Sequence, residues 1–100
     1  EVARKCETWK KINPNVGLVV GATQNSLKLL RRITSLPFLV PGVGAQGGDL
    51  KRAVTDGNTG GLAIINTSRS VIYPEESGRI EDRIRRAALT LRSQINECRP

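Results

Sequence analysis

The stretch PFLVPGVGAQGGD, residues 37–49, joins a short apolar run to a glycine-rich exit. Its run is continuous rather than alternating, and VGLVV (16–20) and GLAII (61–65) repeat that character at intervals of a little over twenty residues. Short continuous apolar runs are typical of parallel strands buried on both faces. We therefore predict strands near 16–20, 37–42 and 61–66.

A helical pattern follows each run. NSLKLLRRI (25–33) follows the first, and DLKRAV (49–54) follows the second as a short helix that Asp49 is placed to cap. After the third run and the turn YPEESG (73–78), the longest helix is predicted, with arginines on much of its outer surface. Its predicted apolar stripe contains Ile80, Ile84, Ala87, Ala88, Leu91 and Ile95.

Two helical faces are predicted in more detail. In the helix after the first run, Leu27 and Leu30 face inward with either Arg31 or Ile33. The first residues, EVARKCETWKKI, read as a helix already under way, which predicts that the chain is a portion of something longer. Val2, Cys6 and Trp9 have the i, i+4, i+7 spacing of one face of this N-terminal helix, with Ile12 as an optional further member.

The element order is the end of a helix followed by three βα units, an α/β arrangement. Repeated βα units give parallel strands joined by right-handed crossovers. Three strands are few for a sheet covered on both faces, so three consecutive units of a (β/α)8 TIM barrel are favoured over an open three-stranded sandwich. Residues 1–100 are then one segment of a single barrel domain. The strand exits would gather at one face, where ligands bind.

The composition limits the classes of ligand and of catalytic site that the chain can have. The net charge of +7 favours anionic partners, and the absence of histidine removes the commonest metal ligand and general base. Two cysteines, Cys6 and Cys98, are too few for a disulfide scaffold. Reduced thiols are expected, and a disulfide that joins the two ends of the chain is the alternative. No apolar run is long enough to span a membrane and no signal peptide is evident, so the expected location is cytoplasmic.

Gly42, Gly44 and Gly47 have the spacing of a dinucleotide-binding fingerprint. We reject that interpretation because no acidic residue lies between Gly57 and Tyr73, where the ribose hydroxyls need one, and because no long helix is expected directly after the glycines. Glycine-rich exits also admit backbone N–H groups to a phosphate. Arg69, the one cation in the three strand exits, and the Gln46 amide would complete a phosphate site.

Three segments resemble the C-terminal part of orotidine 5'-phosphate decarboxylases, most closely the bacterial and archaeal type 2 branch. They are VGLVVGAT (16–23), PFLVPGVGAQGGDL (37–50) and INTSRSVIY (65–73). The resemblance implies the C-terminal three βα units of a TIM barrel in a homodimeric enzyme. That enzyme, a carboxy-lyase without cofactor or metal, converts orotidine monophosphate to uridine monophosphate in pyrimidine synthesis.

The same resemblance assigns site residues. Gln46 and Arg69 would bind the 5'-phosphate, assisted by backbone N–H groups at Gly47 and Ser68. The pyrimidine pocket would be lined by Pro41 and Val43. The chain has TSR where many relatives have a glycine before the arginine, a departure that keeps the Ser68 N–H available.

The family's catalytic residues have no counterpart here. An alternating Lys and Asp array, with one Asp from the dimer partner, belongs to earlier strands, and DLKRAVTD (49–56) reads as a helix instead. We therefore name no catalytic residue, and we expect the isolated segment to be inactive. The alternatives are another phosphate-binding barrel, such as a sugar-phosphate epimerase or isomerase, and a basic nucleic-acid-binding module. The latter is disfavoured because no aromatic residues interleave with the basic ones.

Overall fold

Helices and short parallel strands alternate along the chain in the computed structural model, which describes residues 1–22, 25–44 and 47–100. Within these ranges the predicted α/β character is confirmed. The elements in order are α1 (Val2–Lys10), β1 (Leu18–Val19), α2 (Ser26–Arg31), β2 (Phe38–Val40), α3 (Gly47–Asn58), β3 (Ala63–Ile65), α4 (Arg69–Ile72) and α5 (Ile80–Cys98).

The three strands form one parallel sheet in the order β1-β2-β3. Leu18, Phe38 and Ala63 are aligned in one row across the sheet, so sequential strands are also spatial neighbours. Each strand lies inside the range predicted from its apolar run, although each is shorter than that run. Helices α2 and α3 connect the strands and pack against one another, as crossover connections of parallel strands require.

One face of the sheet carries the core. Phe38 and Val40 of β2 are fully buried beneath α2 and α3. Burial of such side chains stabilises the fold by about 1.5–3 kcal/mol each. The core cluster consists of Val20, Leu27, Phe38, Val40, Val43, Leu50, Ala53 and Val54, with Leu91, Ile95 and Cys98 of α5 packed at its margin.

The opposite face of the sheet is an apolar surface. Val19, Leu39 and Ile64 lie side by side in one row across the three strands. Their exposed fractions are 71%, 40% and 57%. Parallel sheets are normally covered on both faces, so this row is the surface at which a further layer would pack.

A single arginine joins α2 to α3 and to the segments that precede β2 and β3, at the amino end of the sheet. The Arg31 guanidinium donates through Nε to the Gly57 carbonyl (2.7 Å), through Nη1 to that of Leu36 (2.6 Å) and through Nη2 to that of Leu62 (2.9 Å). Its Cζ lies 3.5 Å from the centre of the Phe38 ring. Burial lowers the pKa of Arg31, which nevertheless stays protonated at neutral pH.

The sequence left open whether Arg31 or Ile33 faces inward on α2. The structure shows that it is Arg31, because Arg31 is half-buried and Ile33 is 42% exposed. The same guanidinium explains a glycine in the sequence. A Cβ at Gly61 would lie 2.6 Å from the Arg31 Cζ, so any side chain there would require the guanidinium to move away from its three carbonyl partners. The two residues are therefore matched across the turn that precedes β3.

Helix α3 differs from the prediction in length and in its cap. It spans Gly47–Asn58, so a helix of 12 residues does begin directly after the glycine-rich exit. Asp49 lies inside the first turn and is not the cap residue. The helix continues past Val54 because its buried face continues, and it ends where the Asn58 carboxamide donates to the Val54 carbonyl (2.8 Å) and accepts from the Ala63 N–H (3.0 Å).

The predicted face of α1 is largely wrong. Ala3 and Cys6 are buried, whereas Val2, Trp9 and Ile12 are 69%, 49% and 85% exposed. The helix ends at Lys10, so Ile12 leaves the helical repeat and cannot share a face with the earlier residues.

Helix α5 carries the predicted stripe in part. Ile84, Ala87, Leu91 and Ile95 are half-buried, whereas Ile80 and Ala88 are exposed. The Thr55 hydroxyl of α3 donates to the Cys98 carbonyl (2.9 Å), which fixes the end of α5 against α3. Ile80, at the first turn, precedes the part of α5 that reaches the core.

Both cysteines are free thiols, Cys6 buried and Cys98 half-buried, as expected. None of the helices in the described ranges is sufficiently long and apolar to cross a lipid bilayer.

Candidate functional site

The exits of β2 and β3 lie side by side at the carboxyl end of the sheet. The Asn66 N–H donates to the Val40 carbonyl (3.0 Å), which continues the pairing of the two strands beyond the end of β3. Residues 41–44 and 66–68 therefore begin from neighbouring points. This adjacency confirms, for these two strands, the prediction that the exits gather at one end of the sheet.

The exit of β2 turns sharply at Gly42. Its φ of +69° lies in the left-handed region, which glycine adopts without the strain that a Cβ introduces. The turn sends Val43 back into the core, where it is 2% exposed, while Pro41 is half-buried. Gln46 lies outside the described residues, and Gly47 opens α3.

The exit of β3 forms a compact turn that leads into α4. The Thr67 and Ser70 hydroxyls are hydrogen-bonded at 2.8 Å. The Ser68 carbonyl accepts from the N–H groups of Val71 (3.1 Å) and Ile72 (2.8 Å). This turn of helix was not predicted from the sequence. It places Arg69 at the first position of α4.

Between these exits and α5 lies an open cavity of about 940 Å³. Both strand exits, α4, the segment after it and the middle of α5 form its walls. Its polar and charged lining residues include Thr67, Ser68, Arg69, Ser70, Tyr73, Glu75, Glu76, Thr90 and Gln94. Val43, Leu50, Ala87 and Leu91 supply an apolar part of the lining.

Three predicted site residues, Val43, Ser68 and Arg69, line this one cavity. Pro41 is not among its described lining residues. Arg69 is exposed, and within the described residues its guanidinium has no hydrogen-bond or ion-pair partner. An unpaired guanidinium at a cavity wall is available to an anionic group of a ligand. The binding roles of all these residues stay predictions.

Sequence reasoning missed the far wall of the cavity. Glu75 and Glu76 were interpreted only as part of a turn, and Thr90 and Gln94 only as positions on a helix. The rule that ligands bind at strand exits identifies residues 66–70 but does not identify residues on the following segment or on α5. Placing α5 beside those exits requires its packing against α3 and α4, which no local pattern encodes.

Metal ligands are not clustered at the cavity. Within residues 1–22, 25–44 and 47–100, no three His, Cys, Asp or Glu side chains are grouped so that they could hold a metal ion. The site as described offers one guanidinium, hydroxyls, amides and two carboxylates, which suit hydrogen bonding to a polar ligand.

Comparison with known proteins gives the family. No family model matches the chain, and no solved structure matches it. It is 45% identical over 103 aligned positions to an orotidine 5'-phosphate decarboxylase of Natronomonas pharaonis, and 46% and 44% identical over 102 positions to proteins of that name from Dehalococcoides mccartyi and Thermomicrobium roseum. These alignments cover 98% of this chain but 36–38% of each relative, so the chain spans little more than a third of their length. Across that span, the chain belongs to the orotidine 5'-phosphate decarboxylase family.

Proposed function

We propose that this chain supplies the phosphate-binding part of an enzyme that decarboxylates orotidine 5'-monophosphate to uridine 5'-monophosphate in pyrimidine synthesis. The observation that carries the proposal is that Ser68 and Arg69 share one cavity with the glycine exit of the neighbouring strand. The names of the similar proteins supply the reaction. The cavity is where we propose that the phosphate binds.

The contribution of this site to catalysis is binding energy. Arg69 would hold phosphate oxygens by charge-assisted hydrogen bonds, and the hydroxyls of Thr67 and Ser70 lie on the same wall. Binding of a remote, non-reacting group can be used to position and destabilise the reacting centre. Gln46 and the Gly47 N–H would complete the phosphate contacts, and Pro41 with Val43 would border the pyrimidine.

The remaining chemistry requires residues beyond this segment. We propose that residues 1–100 are three βα units of a (β/α)8 barrel, which works as a cytoplasmic homodimer without cofactor. The apolar row of Val19, Leu39 and Ile64 supports this, since in a closed barrel it would face the interior. The Lys and Asp array that decarboxylates and protonates the pyrimidine would lie on the other strands.

The test is Arg69→Ala in the longest natural form of the protein, with orotidine 5'-monophosphate as substrate. Loss of a charged hydrogen-bonding group costs about 2–4 kcal/mol of transition-state stabilisation. That range lowers kcat/KM by about 30- to 900-fold. Arg92→Ala, at an exposed position of α5, is the matched control and should leave kcat/KM unchanged.

Equal kinetics for the Arg69→Ala and Arg92→Ala variants would contradict the phosphate role of Arg69. Turnover of a pentose phosphate in place of the nucleotide would favour the sugar-phosphate epimerase or isomerase class. Salt-dependent binding of random DNA that survives Arg69→Ala would favour the nucleic-acid module.

A further inference from the structure

A short segment links α4 to α5 and forms the far wall of the cavity. We call residues 73–78 the strap. Tyr73, Pro74, Glu75 and Glu76 of the strap all line the cavity that contains Arg69. The strap then reverses direction at Gly78, whose φ of +111° is accessible to glycine and strained for other residues.

Two arginines of α5 form hydrogen bonds to the strap. Arg83 Nη1 donates to the Glu76 carbonyl (3.0 Å). Arg86 forms hydrogen bonds to two consecutive residues. Its Nε donates to the Glu76 carboxylate (3.1 Å) and its Nη2 to the Ser77 carbonyl (3.1 Å). Neither arginine is among the described lining residues of the cavity, so both act on it through the strap.

The ion pair between Arg86 and Glu76 changes the net charge of the cavity lining. Among the described lining residues, the charged groups are the Arg69 guanidinium and the carboxylates of Glu75 and Glu76. Two carboxylates against one guanidinium oppose the entry of an anion. The Glu76 carboxylate is the one that Arg86 neutralises, and this pairing leaves Arg69 with a smaller opposing charge.

We infer that Arg86 is a positioning residue that keeps the Glu76 carboxylate neutralised at the cavity wall and so sets the affinity of the Arg69 site for a phosphate monoester. The inference rests on the proposed function for the identity of the ligand. Arg86 does not touch the ligand in this arrangement. It acts because Glu76 lines the same cavity as Arg69, and without Arg86 its carboxylate would be an unpaired negative charge on that residue.

The geometry also indicates why arginine is needed at this position. The acceptors of the two Arg86 hydrogen bonds are the Glu76 carboxylate and the Ser77 carbonyl. A planar guanidinium can donate to both acceptors at the same time. A lysine would keep the charge but replace this fork by a single ammonium. The pair is half-exposed, so its effect on an anion is that of a partly screened charge.

The test measures binding of uridine 5'-monophosphate and of uridine by calorimetry to the longest natural form of the protein. Arg86→Ala should weaken binding of the monophosphate by about 3- to 5-fold and leave uridine unaffected, because only the phosphate is repelled by the released carboxylate. Arg85→Ala removes the same charge from an exposed neighbour on α5 and should change monophosphate binding by less than about 2-fold.

Rescue separates the charge effect from damage to the fold. Glu76→Gln should not weaken monophosphate binding, and adding it to Arg86→Ala should restore affinity to within about 2-fold of the unaltered protein. The inference is overturned if Arg86→Ala matches Arg85→Ala, if uridine binding falls in parallel, or if the double variant is no better than Arg86→Ala.

Failure of the proposed function has a different signature. Monophosphate binding that is unchanged in Arg69→Ala would reject the phosphate site itself, whatever Arg86 does. If the unaltered protein binds no monophosphate, both the proposed function and the role of Arg86 are rejected. If Glu76→Gln alone weakens binding, Glu76 contacts the ligand and the inference about Arg86 is wrong.

Discussion

Replacement of Arg31 by alanine should be the most destabilising change among the arginines described here. The substitution removes hydrogen bonds to the carbonyls of Gly57, Leu36 and Leu62, and it removes the cation held over the Phe38 ring. After allowance for partial exposure, each hydrogen bond contributes about 1 kcal/mol and the ring contact about 0.5–1 kcal/mol. The free energy of unfolding should fall by about 3–4 kcal/mol, a large fraction of the 5–15 kcal/mol typical of proteins.

Urea denaturation followed by circular dichroism measures this change through the midpoint and the slope. Arg32→Ala is the matched control, since Arg32 is the next residue, is exposed, and carries the same charge. It should change the free energy of unfolding by less than about 0.5 kcal/mol. A difference of less than 1 kcal/mol between the two variants would refute the claim that Arg31 joins the elements at the amino end of the sheet.

Two further predictions concern the β2 exit and the apolar row. Gly42→Ala should destabilise the protein by about 1–2 kcal/mol in thermal unfolding because its φ is positive, whereas Gly44→Ala should have little effect; equal changes would show that the turn is not strained. Ile64→Ala should cost about 2–5 kcal/mol in the longest natural form if a barrel covers the apolar row, and a cost below 1 kcal/mol would mean that the row stays open to solvent.

The strands were predictable because their signal is local. A continuous apolar run such as PFLV can be buried only if the chain is extended between two layers or packed inside a helix, and its shortness favours the strand. The parallel pairing followed from the helical patterns between the runs. The burial of Phe38 and Val40 agrees with this prediction, while the exposure of Leu39 differs because, within the described residues, no layer covers that face.

The candidate site was predictable only on the side formed by the strand exits. Arg69 was identified because parallel strands bring their exits to one edge, and the observed hydrogen bond from Asn66 to Val40 shows that adjacency. Ser68 was identified only through the family resemblance. The strap and its contact with Arg86 were missed. Glu76 and Arg86 are ten residues apart, and nothing in their spacing indicates that a glycine at 78 folds one back onto the other.

The sequence by itself determined the α/β order, the strand positions and the phosphate-site candidates, because these depend on periodicity, turn chemistry and residue type over short distances. Tertiary structure alone decided that Arg31 rather than Ile33 turns inward, since its three acceptors lie in α3 and in the separate segments that precede β2 and β3. It also decided that α5 and the strap enclose the cavity. These features depend on tertiary packing, which brings particular carbonyls and carboxylates within about 3 Å of a guanidinium. Short-range sequence patterns do not predict such long-range contacts.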